Sequence, residues 1–380
     1  MHNRRTILCF FDYFYLAFRS GGPARSSLGL VEHLGGYYNI KAITRDRDRH
    51  DNKSMAGIHP NSWNRVKGAQ VFYLGINRYW KIFKAIGEGS AMVYYFNSFF
   101  SFWFTIVPLA FINLKSKTKQ IVVAPRGEFS PGAFNLKGFK KRLFVRFFGR
   151  LYSGATFHAS SENEREDILN VLPLANVRIA LNLRPKSEFS DLQYKPSAKK
   201  EGVIRLVFLS RIDRKKNLVF ALELVKKCKS TVELDIYGII DDPSYWASCQ
   251  PLISELNKEE NIKVEYKGEA SSTKSIEIIS NFDLMLFTSL GENFSHSVLE
   301  SLMASRPALI SNTTYWRNLQ AVNAGWDFPL NQPNLFAEKI DELAKLRAVD
   351  YEMYCQGAYK LAFDYFNNPS HVADYKLLFD

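Results

Sequence analysis

The chain has 380 residues, more than one hydrophobic core usually organises, so we expect two domains. Apolar residues make up 46% and charged residues 23%, as in an ordinary soluble globular protein, and no short-period repeat or low-complexity tract is evident. Residues 1–185 hold 27 Lys and Arg against 11 Asp and Glu, a net charge of +16, and the remainder carries −4. The basic half predicts an anionic partner: nucleic acid, a phosphorylated substrate or a membrane surface.

Short runs of β-branched and aromatic residues alternate with amphipathic segments through the first half of the chain, which predicts a parallel βα architecture. Several of these runs are apolar throughout, as expected for a sheet covered on both faces. The predicted strands are 6–11, 39–44, 69–74, 91–96, 120–124, 155–160 and 176–180.

A polar stretch precedes a second alternating series. Residues 186–202 contain Pro and have no apolar period, which predicts a linker. The sequence therefore predicts two α/β domains in series, 1–185 and 203–365. The strands predicted in the second domain are 203–209, 232–238, 261–268, 282–288 and 307–311.

Three features bear on the compartment. The N-terminal segment has no clean apolar core followed by a small-residue cleavage site, so we expect no secretory signal. The most apolar stretch, residues 99–112, is shorter than the ~20 residues of a spanning helix and contains Pro108. We expect a buried or interface-facing helix there, with membrane insertion as the alternative. A reducing cytosol is expected because no C-x-x-C pair or metal-ligand spacing connects the cysteines, Cys9, Cys228, Cys249 and Cys355.

In open α/β sheets, ligands bind beyond the carboxyl ends of strands, where loops lead into helices. One such loop, residues 18–30, reads FRSGGPARSSLGL. Gly21 and Gly22 allow backbone N–H groups to approach an anion at the start of the following helix. A plain Gly-Gly-Pro turn is the alternative.

A second loop carries basic residues between a strand and a helix. Arg211 follows the strand directly, and Lys216 stands just before a predicted helix cap at Asn217. Both side chains are therefore expected to reach one phosphate group at the helix start. The alternative is that residues 214–216 form a solvated charge run.

The third loop is GENFSHSVLES, residues 291–301, which precedes and enters a helix. Backbone N–H groups near residues 294–297 would point at an anion. Ser297 and Glu300 also fit a capping box, with Ser297 as the N-cap. Glu292 precedes the helix, and no capping pattern uses it.

Other candidate sites are weaker. Asp46 and Asp48 form a D-x-D sequence, but arginines surround it, which favours a charged loop over a metal site. His158 closes a strand, and a structural histidine is the favoured interpretation. No G-x-S-x-G, H-E-x-x-H or P-loop pattern is present.

Over nearly its whole length the sequence resembles glycosyltransferase family 4, the retaining enzymes of the GT-B fold. The family's R-x4-K element is matched by SRIDRKKN, with Arg211 and Lys216 on the basic pair. Its E-x7-E element is matched by GENFSHSVLES, on Glu292 and Glu300. Its glycine loop and Pro-Arg-Gly element resemble SGGPARSSLGLVEHL and APRGEFSPGA. The segment after position 305, RPALISNTTYWRNLQAVNAGWDFPL, is similar to that of bacterial surface-polysaccharide and lipopolysaccharide members.

The resemblance implies two Rossmann-like parallel-sheet domains facing a central cleft, with a terminal helix, residues 366–380, crossing back to the N-terminal domain. It implies retaining transfer of a sugar from a UDP- or GDP-linked donor. The implied acceptor is a saccharide, or a saccharide linked to polyprenyl diphosphate, in the synthesis of O-antigen, capsule or exopolysaccharide.

The resemblance also implies roles for individual residues. Arg211 and Lys216 would bind the diphosphate, Glu300 the ribose, and Glu292 the donor sugar. No metal or cofactor would be needed, because the cations and the helix dipole neutralise the leaving diphosphate. Backbone N–H groups would contact sugar or phosphate at Asn293, Phe294 and Ser295, and on the other side of the cleft at Gly21 and Gly22. The acceptor-side candidates are Arg126, His158 and Asn97, which stands where many members have a histidine.

The basic segment 137–152 carries six basic residues and no acid. At helical spacing the apolar residues share one face and the arginines another: Leu143, Phe144, Phe147, Phe148 and Leu151 against Arg142, Arg146 and Arg150. One interpretation is an ordinary helix docked on the sheet. The other is a surface that holds a cytoplasmic enzyme on anionic lipid at the inner face of the plasma membrane.

Two other functions remain open. A nucleotide-sugar epimerase or hydrolase shares the two-domain architecture. A nucleic-acid-binding protein would account for the basic half, but no recognised RNA- or DNA-binding motif is present.

Overall fold

The computed structural model describes residues 4–17, 22–49, 51–115, 119–130, 134, 138–190, 193–271 and 273–380. The chain divides into two compact units, of which the first is Met1–Glu188 with Asn368–Asp380 and the second is Phe189–Asn367. Within the span predicted as a linker, Ser187–Ser190 form a short helix.

The first unit is built on an eight-stranded sheet of order β3-β4-β2-β1-β5-β6-β7-β8. All neighbouring strands are parallel except β3, which pairs antiparallel with β4 at the edge and was not predicted. The central strands are buried on both faces, as their continuous apolar runs predict. The strands are β1 Thr6–Phe10, β2 Asn39–Arg45, β3 Trp63–Val66, β4 Ala69–Leu74, β5 Val93–Phe96, β6 Gln120–Val123, β7 Thr156–Ala159 and β8 Asn176–Ile179.

Helices of the first unit connect these strands. Within residues 99–112, expected as a buried or interface-facing helix, a π-helical turn, Phe102–Ile106, continues into α3. In the described part of the chain, no helix is both long and apolar enough to cross a bilayer. The α-helices are α1 Gly22–Leu34, α2 Ile82–Gly89, α3 Val107–Lys115, α4 Gly138–Phe148, α5 Glu162–Val171, α6 Ser187–Ser190, which runs into the second unit, and, near the end of the chain, α13 Ser370–Phe379.

The second unit has a six-stranded parallel sheet of order β11-β10-β9-β12-β13-β14. The last strand, a four-residue edge strand, was not predicted. The strands are β9 Val203–Leu209, β10 Thr231–Tyr237, β11 Ile262–Gly268, β12 Leu284–Phe287, β13 Ala308–Ser311 and β14 Gly325–Phe328. The helices are α7 Leu218–Val225, α8 Pro243–Leu256, α9 Ser275–Ser280, α10 His296–Met303, α11 Pro333–Ala344 and α12 Ala348–Asn367.

Both sheets reverse their strand order beside the first strand of the unit. The chain moves outward from β1 in one direction and then returns to β5 on its other side. In the second unit it moves from β9 through β11 and then returns to β12. In such doubly wound sheets the loops that leave the carboxyl ends of the two strands at the reversal point diverge and leave a crevice for a ligand.

The C-terminal helix α13 belongs to the core of the first unit. Tyr375, Leu378 and Phe379 are buried together with residues of β1, β2, β4 and β5. Gln120 Nε2 donates a hydrogen bond to the backbone carbonyl of Leu378 at 2.8 Å. Tyr38 Oη donates one to the Asp380 carboxylate at 2.7 Å. The helix therefore completes a hydrophobic layer on this sheet.

Candidate functional site

The candidate site of the second unit is formed by the loops that follow β9 and β12, the two strands at its reversal point. Hydrogen bonds tie the two loops together. Leu290 N–H donates to the Lys215 carbonyl at 2.8 Å, and Thr288 Oγ1 donates to the Asn217 carbonyl at 3.0 Å. The two loops that the sequence singled out are therefore held as one unit at the carboxyl edge of the sheet.

Lys216 and Glu292 form an ion pair within this site. The Lys216 ammonium group donates a hydrogen bond to Glu292 Oε1, and Ser289 Oγ lies 2.8 Å from the same oxygen. Only 13% and 14% of the Lys216 and Glu292 side chains is exposed. The Lys216 nitrogen also lies 5.4 Å from the centre of the Phe287 ring. Both charges are thus held in place by the protein, which makes them suited to act on a ligand without reorganising.

Glu292 is ionised in this setting. Burial favours the neutral acid, but the charges of Lys216 and Lys215, with the hydrogen bonds from Lys216 and Ser289, outweigh burial. The pKa of Glu292 therefore lies below the ordinary value of 4.5. At neutral pH Glu292 is a hydrogen-bond acceptor and not a proton donor.

Arg211 is an exposed cation of the site, with 42% of its side chain accessible. Its Nη1 atom donates a hydrogen bond to Asp241 Oδ2 at 2.8 Å, and its Nη2 atom lies 3.6 Å from Asp213 Oδ2. The other oxygen of Asp213 accepts the backbone N–H of Lys216 at 3.0 Å. One carboxylate therefore links the two basic residues of the predicted pair.

Asp213 and Asp241 were not predicted as site residues. Their positions in the sequence could have indicated them, because Asp213 lies between Arg211 and Lys216, and Asp241 follows the neighbouring strand β10. Carboxylates at the ends of adjacent parallel strands lie at the same edge of the sheet.

Gly238 sets the spacing between those two strand ends. Its φ angle is 149°, and a Cβ atom there would lie 1.7 Å from the backbone carbonyl oxygen of Ser210. Only glycine permits this approach. The contact places the loop carrying Asp241 against the loop carrying Arg211, where Ile212 and Ile240 form a parallel bridge.

The helix of the third loop begins two residues earlier than predicted. Helix α10 starts at His296, and its N-cap is Ser295, which has a left-handed φ of 61° and makes no side-chain capping hydrogen bond. Ser297 is therefore inside the helix, and the predicted capping box of Ser297 and Glu300 is wrong. Glu300 lies on the same helix and is only 6% exposed.

Polar atoms at the start of α10 are buried without a hydrogen-bond partner. They are the Ser295 hydroxyl and the Asn293 side-chain nitrogen. Buried polar groups are nearly always paired in native proteins, so these two atoms are candidate hydrogen-bonding groups for a ligand. Phe294, by contrast, is buried against Tyr315 and Trp316 at ring distances of 5.8 and 5.6 Å. Of the three predicted contacts after Glu292, two therefore have side chains available for a ligand, and Phe294 offers its backbone only.

The acceptor-side candidates of the first unit lie in one hydrogen-bond network. Arg126, which follows β6, donates from Nε to Asn97 Oδ1 at 2.7 Å and from Nη2 to Tyr95 Oη at 2.6 Å. Its Nη1 atom donates to Asn182 Oδ1. Arg126 has a left-handed φ of 54°, a strained conformation for an arginine. The structure thus brings Asn97, Arg126 and His158 together, the last through Tyr95.

The Ala180 carbonyl fixes which atoms of this network donate and which accept hydrogen bonds. His158 Nε2 lies 2.7 Å from the carbonyl oxygen of Ala180, which only accepts hydrogen bonds, so Nε2 carries a proton. Burial and the charge of Arg126 lower the pKa of His158 to about 3, so the ring is neutral and Nδ1 accepts. Tyr95 Oη therefore donates to Nδ1 at 2.9 Å and accepts from Arg126. Both ring nitrogens of His158 are used by the protein, as a structural histidine requires.

The remaining predicted residues are placed as follows. Gly22 is the first residue of α1, and Gly21 lies outside the described residues. Asp46 is buried and pairs with Arg47 at 2.8 Å, and Asp48 accepts the backbone N–H of Arg49 at 2.7 Å, which makes this segment a charged loop. Among the residues that the structure describes, no cluster of three or more His, Cys, Asp or Glu is placed to hold a metal ion.

Residues 190–360 match the family model described as Glycosyl transferases group 1. Comparison with curated protein sequences finds no significant match. The matched residues lie entirely within the second unit and include the loops that carry Arg211, Lys216 and Glu292.

Solved structures resemble the chain along its whole length. HepE from Anabaena, in complex with UDP and glucose, is 14% identical with a TM-score of 0.67, over 98% of this chain and 99% of that one. Sucrose-phosphate synthase from Thermosynechococcus elongatus is 14% identical with a TM-score of 0.69, over 99% and 98%. WaaG, a glycosyltransferase involved in lipopolysaccharide biosynthesis, is 13% identical with a TM-score of 0.61, over 98% of each chain. Such likenesses at low identity show the fold, which confirms the predicted GT-B class. Together with the family match they support a glycosyltransferase of the GT-B fold.

Proposed function

We propose that the protein transfers a sugar from a nucleotide diphosphate sugar, UDP- or GDP-linked, to a saccharide or lipid-linked saccharide. The observation that carries this proposal is the linked set of Arg211, Asp213, Lys216 and Glu292 at the reversal point of the second sheet. The family match over the same residues and the likeness to a structure holding UDP and glucose support it.

The exposed groups of the site suit a diphosphate. Arg211 presents a planar guanidinium fork, which binds phosphate oxygens in pairs. The N-terminus of α10 adds the partial positive charge of a helix start. The unpartnered Ser295 hydroxyl and Asn293 amide stand beside that helix start and supply further donors. We assign the diphosphate to this position and the ribose to Glu300.

Lys216 and Glu292 have different roles in the proposed reaction. As the glycosidic bond breaks, the departing diphosphate gains negative charge, and cations already in place stabilise that state more than the ground state. Lys216 supplies such a cation. Glu292, ionised, accepts hydrogen bonds from sugar hydroxyl groups and holds the ammonium group of Lys216 in position. We propose that these groups suffice to neutralise the leaving diphosphate without a metal.

The finer features of the reaction rest on the resemblance to family 4. It favours retention of the anomeric configuration, with the acceptor hydroxyl attacking on the face from which the diphosphate departs. It favours a cytoplasmic role in bacterial surface-polysaccharide synthesis, which accords with the likeness to WaaG, itself involved in lipopolysaccharide biosynthesis. We place the acceptor contacts of the first unit at Asn97 and Arg126, with His158 as their support.

Ligand-induced stabilisation tests the donor site. A ligand that binds only the native state raises the melting temperature, so UDP- and GDP-sugars are screened by thermal shift. Wild-type protein is expected to respond to one of the two nucleotide classes. Arg211→Ala should abolish the response and lower transfer about a hundredfold or more, the loss seen when one charge-stabilising donor is removed.

The matched control is Arg214→Ala, because Arg214 lies in the same loop, carries the same charge and points to Asp242, with 70% of its side chain exposed. It should keep the response. No shift with any nucleotide sugar, or equal behaviour of the two variants, contradicts the assignment. Incubating the donor without acceptor separates the alternative: release of an isomerised or free sugar at the transfer rate would indicate an epimerase or hydrolase.

A further inference from the structure

Helix α4 carries an exposed apolar line. Phe139, Leu143 and Phe147 are spaced four residues apart and therefore lie along one side of the helix. Their exposed fractions are 80%, 44% and 66%. We call these three residues the α4 stripe. Another side of the helix, with Phe144 and Val145, packs on the core of the first unit, so docking of the helix does not require the stripe.

The apolar residues predicted to share one face of this helix differ in their burial. Leu143 and Phe147 were expected to share a face with Phe144 and Leu151, but only the latter two pack against the core. Single exposed apolar residues are ordinary, whereas a line of three large ones on one helix marks an interaction surface.

Within the segment that carries the stripe, all the charged residues are basic. Residues 137–152 carry six basic residues and no acidic one. Lys140, Arg142, Arg146 and Arg150 are exposed. A second copy of this helix, or another basic surface, would bring like charges together and is disfavoured as a partner. Aromatic residues flanked by Lys and Arg suit the interface of an anionic bilayer, where the rings enter the headgroup region and the cations meet lipid phosphates.

A cavity adjoins the basic side of α4. Its volume is about 490 Å³, within the range of ligand-binding pockets. Its wall contains two guanidinium groups one helical turn apart. Apolar side chains and a polar pair from α5 complete the wall. The lining residues are Arg142, Arg146, Phe129, Phe134, Val145, Val171, Asp167 and Asn170. The two arginines outnumber the single carboxylate, so the cavity suits an amphipathic anion such as a lipid headgroup phosphate with its adjoining glycerol and chain.

We propose that α4 docks the first unit on anionic lipid, with the α4 stripe in the headgroup region and a lipid phosphate at Arg142 and Arg146. Docking involves neither Arg211 nor Glu292, so it is independent of the proposed donor site.

Vesicle binding of the full chain tests the proposal. Wild-type protein is expected to co-sediment with phosphatidylglycerol vesicles at least about tenfold more strongly than with phosphatidylcholine vesicles, and added salt should weaken binding. The double variant Phe139→Ser/Phe147→Ser should lose about tenfold or more of this binding. Arg142→Gln/Arg146→Gln should lose the preference for phosphatidylglycerol. All four side chains are exposed, so circular dichroism is expected to show an unchanged fold.

Matched controls exist in the same unit. Leu174→Ser removes a fully exposed leucine outside α4, and Arg165→Gln removes an exposed arginine of α5. Both should bind vesicles like wild type. Equal loss in stripe and control variants overturns the proposal, as does absence of binding to phosphatidylglycerol at low salt. A lipid-free dimer that only the stripe variants dissociate would also overturn it. The nucleotide-sugar thermal shift, measured without vesicles, reports on the donor site separately.

Discussion

Lys216 and Glu292 meet as a nearly buried ion pair although they are 76 positions apart in the chain. The pair forms because β9 and β12 are neighbours in the sheet, so the loops that follow them leave the same edge side by side. In the proposed reaction the pair provides a cation for the leaving group and an acceptor for the sugar.

Glu292→Gln is expected to keep the fold and to reduce kcat about a hundredfold or more. Gln retains the size and one acceptor oxygen, but it removes the charge that holds the Lys216 ammonium group. Steady-state transfer kinetics and thermal melting check the two halves of this prediction.

The control is Glu255→Gln, which removes the carboxylate of an exposed Lys226–Glu255 pair in the same unit. Exposed ion pairs contribute little to stability, so this variant should match wild type in both measurements. If Glu292→Gln turns over normally, the assigned role of Glu292 is wrong.

Asp213→Asn should weaken nucleotide-sugar binding about tenfold. The substitution keeps an acceptor for the Lys216 backbone N–H but removes one of the two carboxylates beside Arg211. Arg211 is then held by Asp241 alone and loses part of its preorganisation, which costs on the order of 1–2 kcal/mol. Isothermal titration with the donor measures the change. Asp350→Asn, which alters an exposed pair with Arg347, is the control, and equal affinities in the two variants would refute the linking role of Asp213.

The stability of the first unit should depend on pH through Glu128. Burial raises the pKa of Glu128 from 4.5 to about 7, although Phe99 N–H and Ser98 Oγ donate hydrogen bonds to it. The folded state then holds a proton that the unfolded state has lost between pH 4.5 and 7. Stability therefore falls as pH rises through this window, by up to about 3 kcal/mol.

Denaturant unfolding of wild type and Glu128→Gln at several pH values isolates this contribution. The difference in unfolding free energy between the two proteins should change across the window and stay constant above it. A difference independent of pH would show that Glu128 titrates normally.

Gly29→Ala should destabilise the first unit. A Cβ atom at this position in α1 would lie 2.2 Å from the carbonyl oxygen of Leu183, so the helix must move away from that segment. Overpacking of this kind costs about 1–3 kcal/mol or more. Gly87→Ala, in α2, has no atom within 4 Å of the added Cβ and should instead stabilise by about 0.5–1 kcal/mol. Opposite shifts in melting temperature are expected, and equal shifts would contradict the assigned contact.

The strands were predictable because their chemistry is local. Runs such as 203–209 are β-branched and apolar, and the structure reproduces those bounds. The missed strands are four-residue edge strands, and Trp63–Val66 includes the polar residues Asn64 and Arg65. Such short segments become strands by pairing with a neighbour, which a local pattern does not reveal.

The site was predictable in its motifs and not in its geometry. The capping box failed because Ser295 adopts a left-handed conformation, which lets α10 begin at His296. The helix start is set by the conformation of the preceding loop, which a local S-x-x-E pattern does not indicate. The link through Asp213 was not foreseen because it depends on side-chain direction at a loop, where sequence spacing carries little information.

Helix α13 has a consequence for how the protein is made. Tyr375, Leu378 and Phe379 fill the core of the first unit, yet they follow the entire second unit in the chain. On the ribosome, most of the first unit is synthesised early, but its core lacks α13 until the second unit has been synthesised. During that interval the surface that α13 will cover is open to solvent, so the unit that begins first is finished last.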